Sequence, residues 1–270
     1  MYRYDSLQHP WTNTLGNMEY NAGDYANCGD PTTYEQVPCS PFRTQLIRSP
    51  IYEIDPALRQ RDWRWIADRY YNVRVTDDLE LFFVDTSPFI QEYYNYSWAY
   101  DVVGGLANQS TEAQLAFVEN ALAESTATWR FMVGHHPMYS NGFDGGYAEV
   151  REAFQPLIDR YNVTAYLNGH DHSMQHIALD GMHYITSGAG SLTQPGFTPR
   201  HPALFEYDQP GFTAYRVNST GVTMYFFDGE GNGLYNYTIP REEGLEDDGA
   251  RILAFDGGIT VHQPNQTFTV

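Results

Sequence analysis

The chain has 270 residues, room for one large domain or two small ones, and its 42% apolar and 18% charged residues describe a core-forming globular chain. Asp and Glu outnumber basic residues 34 to 15, a net charge of -19; so anionic a surface repels phosphate backbones and acidic lipid headgroups and argues against nucleic-acid or membrane-surface partners. Every basic residue is arginine, which excludes chemistries that need a lysine amine: Walker A phosphate binding, Schiff-base aldolases, pyridoxal enzymes and protein kinases.

Residues 1–75 are aromatic and Pro-rich, with one helix predicted from Asp55-Pro56 to about Tyr71, Asp55 as its N-cap and Pro56 in its first turn. Cys28 and Cys39 lie among loop formers in this stretch. They either close a short disulfide loop, worth about 3 kcal/mol in chain-entropy terms, or stay as two free thiols. The run 79–85 reads as a buried strand ending at Thr86-Ser87-Pro88. Thr111-Glu112-Ala113-Gln114 has capping-box spacing, and Leu115, Val118 and Leu122 share one helix face until about Ser125. Residues 129–133 form a second strand, broken at Gly134. A helix over 148–161 carries Val150, Phe154, Leu157 and Ile158 on one stripe, and Pro156 predicts a kink in it. A third strand over 163–167 stops at Asn168-Gly169, and the alternation is the α/β pattern.

Beyond Met182, short strand-like segments at 182–186, 211–217 and 222–227 predict an antiparallel half. Residues 240–251 read as an acidic linker, followed by a hairpin around Asp256-Gly257-Gly258. The expected organisation is one domain over 1–240 and a linker with a hairpin or tail over 241–270. No apolar run approaches the ~18 residues of a membrane span. Six Asn-x-Ser/Thr sequons, at Asn95, Asn108, Asn162, Asn218, Asn236 and Asn265, exceed the roughly two expected by chance. They point to a secreted, lysosomal or vacuolar location, which would require a signal upstream, since 1–5 open no signal peptide.

Four of nine histidines stand in two tight groups, His135 with His136 and His170 with His172, each directly after a glycine that ends an apolar strand. Loops leaving the carboxyl ends of α/β strands converge on one sheet edge, so both groups are expected to meet in a metal site. Such sites polarise a phosphoryl oxygen and supply a nucleophile near neutral pH.

Val133-Gly134-His135-His136-Pro137 and Tyr166-Leu167-Asn168-Gly169-His170-Asp171-His172 resemble the last two metal-binding blocks of the purple acid phosphatases, specifically the small tartrate-resistant type within the calcineurin-like metallophosphoesterases. Leu15-Gly16-Asn17-Met18-Glu19-Tyr20 resembles the family's Gly-Asn-His-Asp block. The segments 83–89, 186–191 and 211–212 resemble its core strand, late turn and late strand, so the likeness covers about 10–240. It implies a β-sandwich flanked by helices and hydrolysis of a small phosphate monoester. Asn17, His135 and His170 would correspond to ligands of a divalent metal (Zn, Mn or Fe), and His172 to a ligand of a second, ferric ion.

The chain also departs from the pattern. It begins downstream of the family strands bearing Asp-x-His and Gly-Asp-Asn-Phe-Tyr, which carry the remaining ligands, so the ferric site is expected only with those strands present. On this reading the sheet lacks its first strands and exposes an apolar edge, a cause of aggregation. Two family histidines that contact substrate are replaced, one by Met18 and the other approximately by Asp144. A thioether cannot donate a proton and an ionised carboxylate repels a phosphate dianion, so impaired activity is expected, with an inactive phosphatase-like fragment or binding module as the alternative.

Overall fold

Apolar side chains recur every second residue in the strands and every third or fourth in the helices, and the two periods sort the chain into layers. The computed structural model describes residues 9–20, 54, 56–96, 98–101, 105–190, 192–218, 220–241, 260–263 and 266–269. Strand β1 (Trp11–Asn13) is followed by helix α1 (Pro56–Arg61), β2 (Trp65–Ala67), β3 (Tyr71–Arg74) and β4 (Leu79–Phe83). Helix α2 (Thr111–Glu124) leads to β5 (Trp129–Val133), and α3 (Ala148–Arg160) to β6 (Ala165–Asn168). Then come β7 (Met174–Leu179), β8 (Met182–Ser187), β9 (Ala203–Tyr207), β10 (Gly211–Asn218), β11 (Gly221–Asp228), β12 (Gly233–Pro240), β13 (Thr260–Gln263) and β14 (Gln266–Thr269).

Among the described residues, nine strands form one mixed sheet in the order β14-β13-β3-β4-β5-β6-β8-β7-β9. Strands β4, β5, β6 and β8 run parallel at its centre, while β3 and β7 join antiparallel. A second sheet, β10-β11-β12, is antiparallel. The alternation in β5 shows the layering. Met132 packs into the cluster that holds Val118 and Leu122 of α2 and Val150, Phe154 and Ile158 of α3, whereas Trp129 and Phe131 point the other way, onto Val222 and Tyr215 of the second sheet.

Three expectations are corrected. The helix predicted to Tyr71 stops at Arg61. The Asp62 carboxylate takes the Arg64 guanidinium at 2.7 Å in a tight turn, and Ile66, Tyr71 and Val73 then bury as strand residues against Phe83. Tyr71 stacks on Phe83 with centroids 4.6 Å apart, and its hydroxyl donates to the Asn13 carbonyl at 2.6 Å, which ties β1 to the main sheet. Asp55 lies outside the described residues.

Second, the N-cap of α2 is Ser110, whose hydroxyl accepts from Ala113 N–H. Gln114 is thereby released from capping and crosses to Asp85, where its Oε1 accepts the backbone N–H at 2.7 Å and its Nε2 donates to the carbonyl at 3.0 Å. Both Asp85 backbone groups are buried, so Gln114→Leu strands a donor and an acceptor. It is expected to cost about 3 kcal/mol in urea unfolding.

Third, β13 pairs antiparallel with β3, so the outer edge of β3 is occupied rather than open. A hairpin joins β13 to β14; residues 256–258, around which one was expected, lie outside the described residues, as do Cys28 and Cys39. Strands β7, β9 and β12 were not expected from the sequence. The antiparallel pairing of 211–217 with 222–227 and the helix through Pro156 agree with it, whereas 182–186, also expected in the antiparallel half, lies in the main sheet, parallel to β6 and antiparallel to β7.

Candidate metal centre

The parallel register of β5 and β6 sets the two histidine loops side by side. Gly134 N–H bonds the Leu167 carbonyl at 3.0 Å and Gly169 N–H bonds the His135 carbonyl at 3.0 Å, continuing the ladder past both strand ends. Asn17 arrives from the turn after β1, anchored where Thr14 Oγ1 donates to the Val84 carbonyl at 2.9 Å and Gly16 N–H to Glu19 Oε2 at 2.7 Å. Gly16 is required here, because a Cβ would stand 2.7 Å from the His135 ring.

Three donor atoms converge. His135 Nε2 lies 2.8 Å from Asn17 Oδ1 and 3.2 Å from His170 Nδ1. His170 adopts φ +63°, a left-handed conformation that costs a non-glycine residue about 1 kcal/mol or more and marks functional loops. The loop is held by the buried Asp171, whose carboxylate accepts from Ser140 Oγ and from Asp144 N–H at 2.7 Å. His172 is fixed by Gln194, which takes its N–H at 3.3 Å and donates to its carbonyl at 3.0 Å. The His172 Nδ1 is buried without a hydrogen-bond partner.

Burial pushes His135 down to about 3, with the neighbouring His170 and His172 adding to the effect. Burial likewise lowers His170 to about 4, opposed by Asp171. Both imidazoles are therefore neutral near neutral pH, the state that offers lone pairs to a cation. His135, His136 and His170 have ligand atoms within 4.8 Å of one another. His136 is nevertheless spoken for, since its Nδ1 meets Thr86 Oγ1 and its Nε2 meets Tyr93 Oη, each at 2.7 Å. It packs as a floor beneath the other two.

Of the residues singled out from sequence, Asn17, His135 and His170 are brought together, and His172 stands beside them close enough for its charge to oppose protonation of both histidines. Met18 turns outward, 44% exposed. Asp144 keeps a carboxylate oxygen 3.9 Å from His170 Nε2, and burial raises its pKa. Sequence reasoning missed Thr86, Tyr93 and Tyr147, the last of which places its hydroxyl 2.7 Å from His170 Nε2.

The donor set fits a borderline transition metal. Two neutral imidazole nitrogens and an amide oxygen lie within hydrogen-bond distance of one another, and the neighbouring His172 keeps a buried Nδ1 with no hydrogen-bond partner.

The calcineurin-like phosphoesterase family profile matches residues 1–174. Purple acid phosphatase 17 of Arabidopsis thaliana is 32% identical over 253 residues, covering 90% of this chain and 67% of that protein. Purple acid phosphatase 4 of the same plant is 31% identical over 255 residues, 89% of this chain and 66% of that one. The chain thus spans about two thirds of the length of these relatives. A solved structure described as GAP50, the anchor in the inner membrane complex of Plasmodium, shares the fold with a TM-score of 0.53 at 23% identity, over 67% of this chain and 57% of that one. No described helix is long and apolar enough to cross a membrane. On the family profile and the plant relatives together, the chain belongs to the calcineurin-like phosphoesterases and, within them, to the purple acid phosphatase family.

Proposed function

We propose that the protein is a metal-dependent phosphomonoester hydrolase of the purple acid phosphatase type, working on small phosphate monoesters and impaired in this form. The observation that carries the reading is the convergence of Asn17 Oδ1, His135 Nε2 and His170 Nδ1. These residues would hold a divalent Zn, Mn or Fe ion, and His172 would face a second, ferric position only where the family's N-terminal ligands complete it. When bound, such ions polarise the phosphoryl oxygen and provide the nucleophile near neutral pH. The chain's own part is to supply neutral ligands, which leave the full cationic charge to meet a phosphate dianion. His136, Thr86 and Tyr93 keep the floor of the site rigid and dry.

Impairment follows from what surrounds the ligands. The outward Met18 offers no proton, and the Asp144 carboxylate near His170 opposes an incoming dianion. The proposed architecture is the family β-sandwich flanked by helices over 1–240, with an acidic segment and a hairpin over 241–270. Exposed sequon asparagines at 95, 108, 162 and 236 support a secretory or vacuolar location.

Metal analysis of the purified protein, paired with aryl phosphate hydrolysis from pH 4 to 8, tests this. At least one tightly held ion per chain is expected, with affinity reduced 100-fold or more and turnover abolished in His170→Ala. Metal without turnover in the wild type favours a binding module. Absence of metal binding overturns the reading.

A further inference from the structure

Tyr147 stands at the N-terminal end of α3, its backbone N–H fixed on the Pro137 carbonyl at 2.9 Å, and its hydroxyl closes a chain of side chains running Thr86, His136, Tyr93, Tyr147, His170. We propose that Tyr147 is a positioning residue, whose hydroxyl oxygen holds the His170 proton on Nε2 and so keeps Nδ1 bare for a metal. The proposal rests on the metal-site reading above.

The direction of each hydrogen bond can be worked out from both ends. Asn17 Oδ1 can only accept, so the nitrogen facing it at 2.8 Å, His135 Nε2, carries a hydrogen. That same nitrogen faces His170 Nδ1 at 3.2 Å, and two N–H groups cannot point at each other. His170 Nδ1 is therefore bare. A neutral imidazole then has its hydrogen on Nε2, 2.7 Å from the Tyr147 oxygen, which accepts it. From the other end, buried Thr86 already accepts the His136 backbone N–H at 3.1 Å, and its own hydroxyl proton goes to His136 Nδ1 at 2.7 Å. His136 is thus protonated on Nε2 and donates to Tyr93 at 2.7 Å. The Tyr93 hydroxyl is left to donate to Tyr147. Both lone pairs of the Tyr147 oxygen are used, one by each end of the chain.

The consequence concerns metal capture. Only His135 has to clear a hydrogen from its facing nitrogen, while His170 is already in the binding tautomer. A partner on the far nitrogen of a ligating histidine typically changes metal affinity 10- to 100-fold. With phenylalanine at 147, the Nε2 hydrogen of this largely buried ring loses its acceptor. The hydrogen moves to Nδ1 as His135 shifts its own hydrogen off the facing Nε2, and there it blocks the ligand position.

Long-range proton–nitrogen NMR of the metal-free, full-length protein reads the tautomer, and zinc titration against a competing chelator reads the affinity. The expected result is Nε2–H for His170 in the wild type, a shift toward Nδ1–H in Tyr147→Phe, and zinc affinity about 10- to 100-fold weaker in the variant. A wild-type His170 protonated on Nδ1 overturns the proposal. So does a variant with unchanged tautomer and affinity. If the wild type binds no zinc, the metal-site reading fails, and the tautomer comparison still decides the role of Tyr147. If the variant does not fold, the wild-type tautomer alone decides it.

Discussion

Gly188→Ala is expected to lower stability by about 3 kcal/mol or more and to reduce zinc affinity at least 100-fold, because it drives a methyl group into the backbone that separates His170 from His172. A Cβ at Gly188 would stand 2.0 Å from the Asp171 carbonyl oxygen and 3.0 Å from its carbon. Neither side can yield cheaply. Gly188 N–H is bonded to the Ser173 carbonyl at 2.9 Å, and the loop opposite is cross-braced by Asp171 N–H to the Gly169 carbonyl and Ser173 N–H to the Asp171 carbonyl, both at 2.8 Å. The Asp171 carboxylate is tied in turn to Ser140 and Asp144. Moving Asp171 therefore moves both flanking imidazoles, and a site held to within about 0.5 Å loses its geometry. Gly190→Ala is the control, since nothing lies within 4 Å of its Cβ. Urea unfolding and chelator-competed zinc titration on the two variants check the contrast, and equal behaviour of the pair would show that the close approach has no energetic weight.

Gly188 was read from the sequence only as part of a turn, and the difference between what was and was not legible has a physical pattern. Strands β4, β5 and β6 announced themselves because both faces are buried, which demands continuous apolar runs, and the glycines that end two of them located His135 and His170. Strand β7 did not. Its Gln175 and His176 are fully buried yet polar, satisfied by Asn141, Ser140 and Ser173 around Gln175 and by His183 and Tyr235 around His176, partners no local pattern reveals. The segment after Arg61 was misread for a related reason. Trp65, Ile66, Tyr71 and Val73 can line a helix or a pleated surface, and what selects the strand is the distant pairing with β1 and β4. At the centre itself, Asn17 was found by resemblance alone. Tyr147 gave no signal except a local anomaly. It occupies the N-cap of α3 without capping it, where Ser, Thr, Asp or Asn is favoured. Breaches of local rules of this kind concentrate where a side chain serves a site.

The buried histidines also make the metal-free protein acid-labile. His135 is held near pH 3, His170 and His176 near pH 4, and His136 well below the ordinary imidazole range, in each case chiefly by burial. Free histidine titrates near 6.5, so as pH falls the unfolded chain takes up these protons first. Stability from the four groups is complete above pH 6.5 and drains away toward pH 4. Asp85 works in the opposite sense. Burial raises its carboxyl to about 7 against the hydrogen bond from Tyr20, so the folded state keeps a proton that the unfolded state releases above about 3.9. Its contribution is full at low pH and is lost as pH rises through 7. Four protons gained on unfolding against one released leave about three, a slope of about 4 kcal/mol per pH unit at its steepest near pH 5.5. For a chain of this size that is a fall in melting temperature of about 8–16 °C per unit. Zinc changes the balance. Ligated His135 and His170 cannot take up protons, which leaves His136 and His176 against Asp85, and the melting temperature of zinc-loaded protein is expected to fall only about one third as steeply over the same interval while the ion stays bound. Melting curves at half-unit pH steps, with and without zinc, check both slopes. A flat metal-free profile would mean that these imidazoles are not held neutral by the fold, and parallel sloping profiles would place zinc away from His135 and His170.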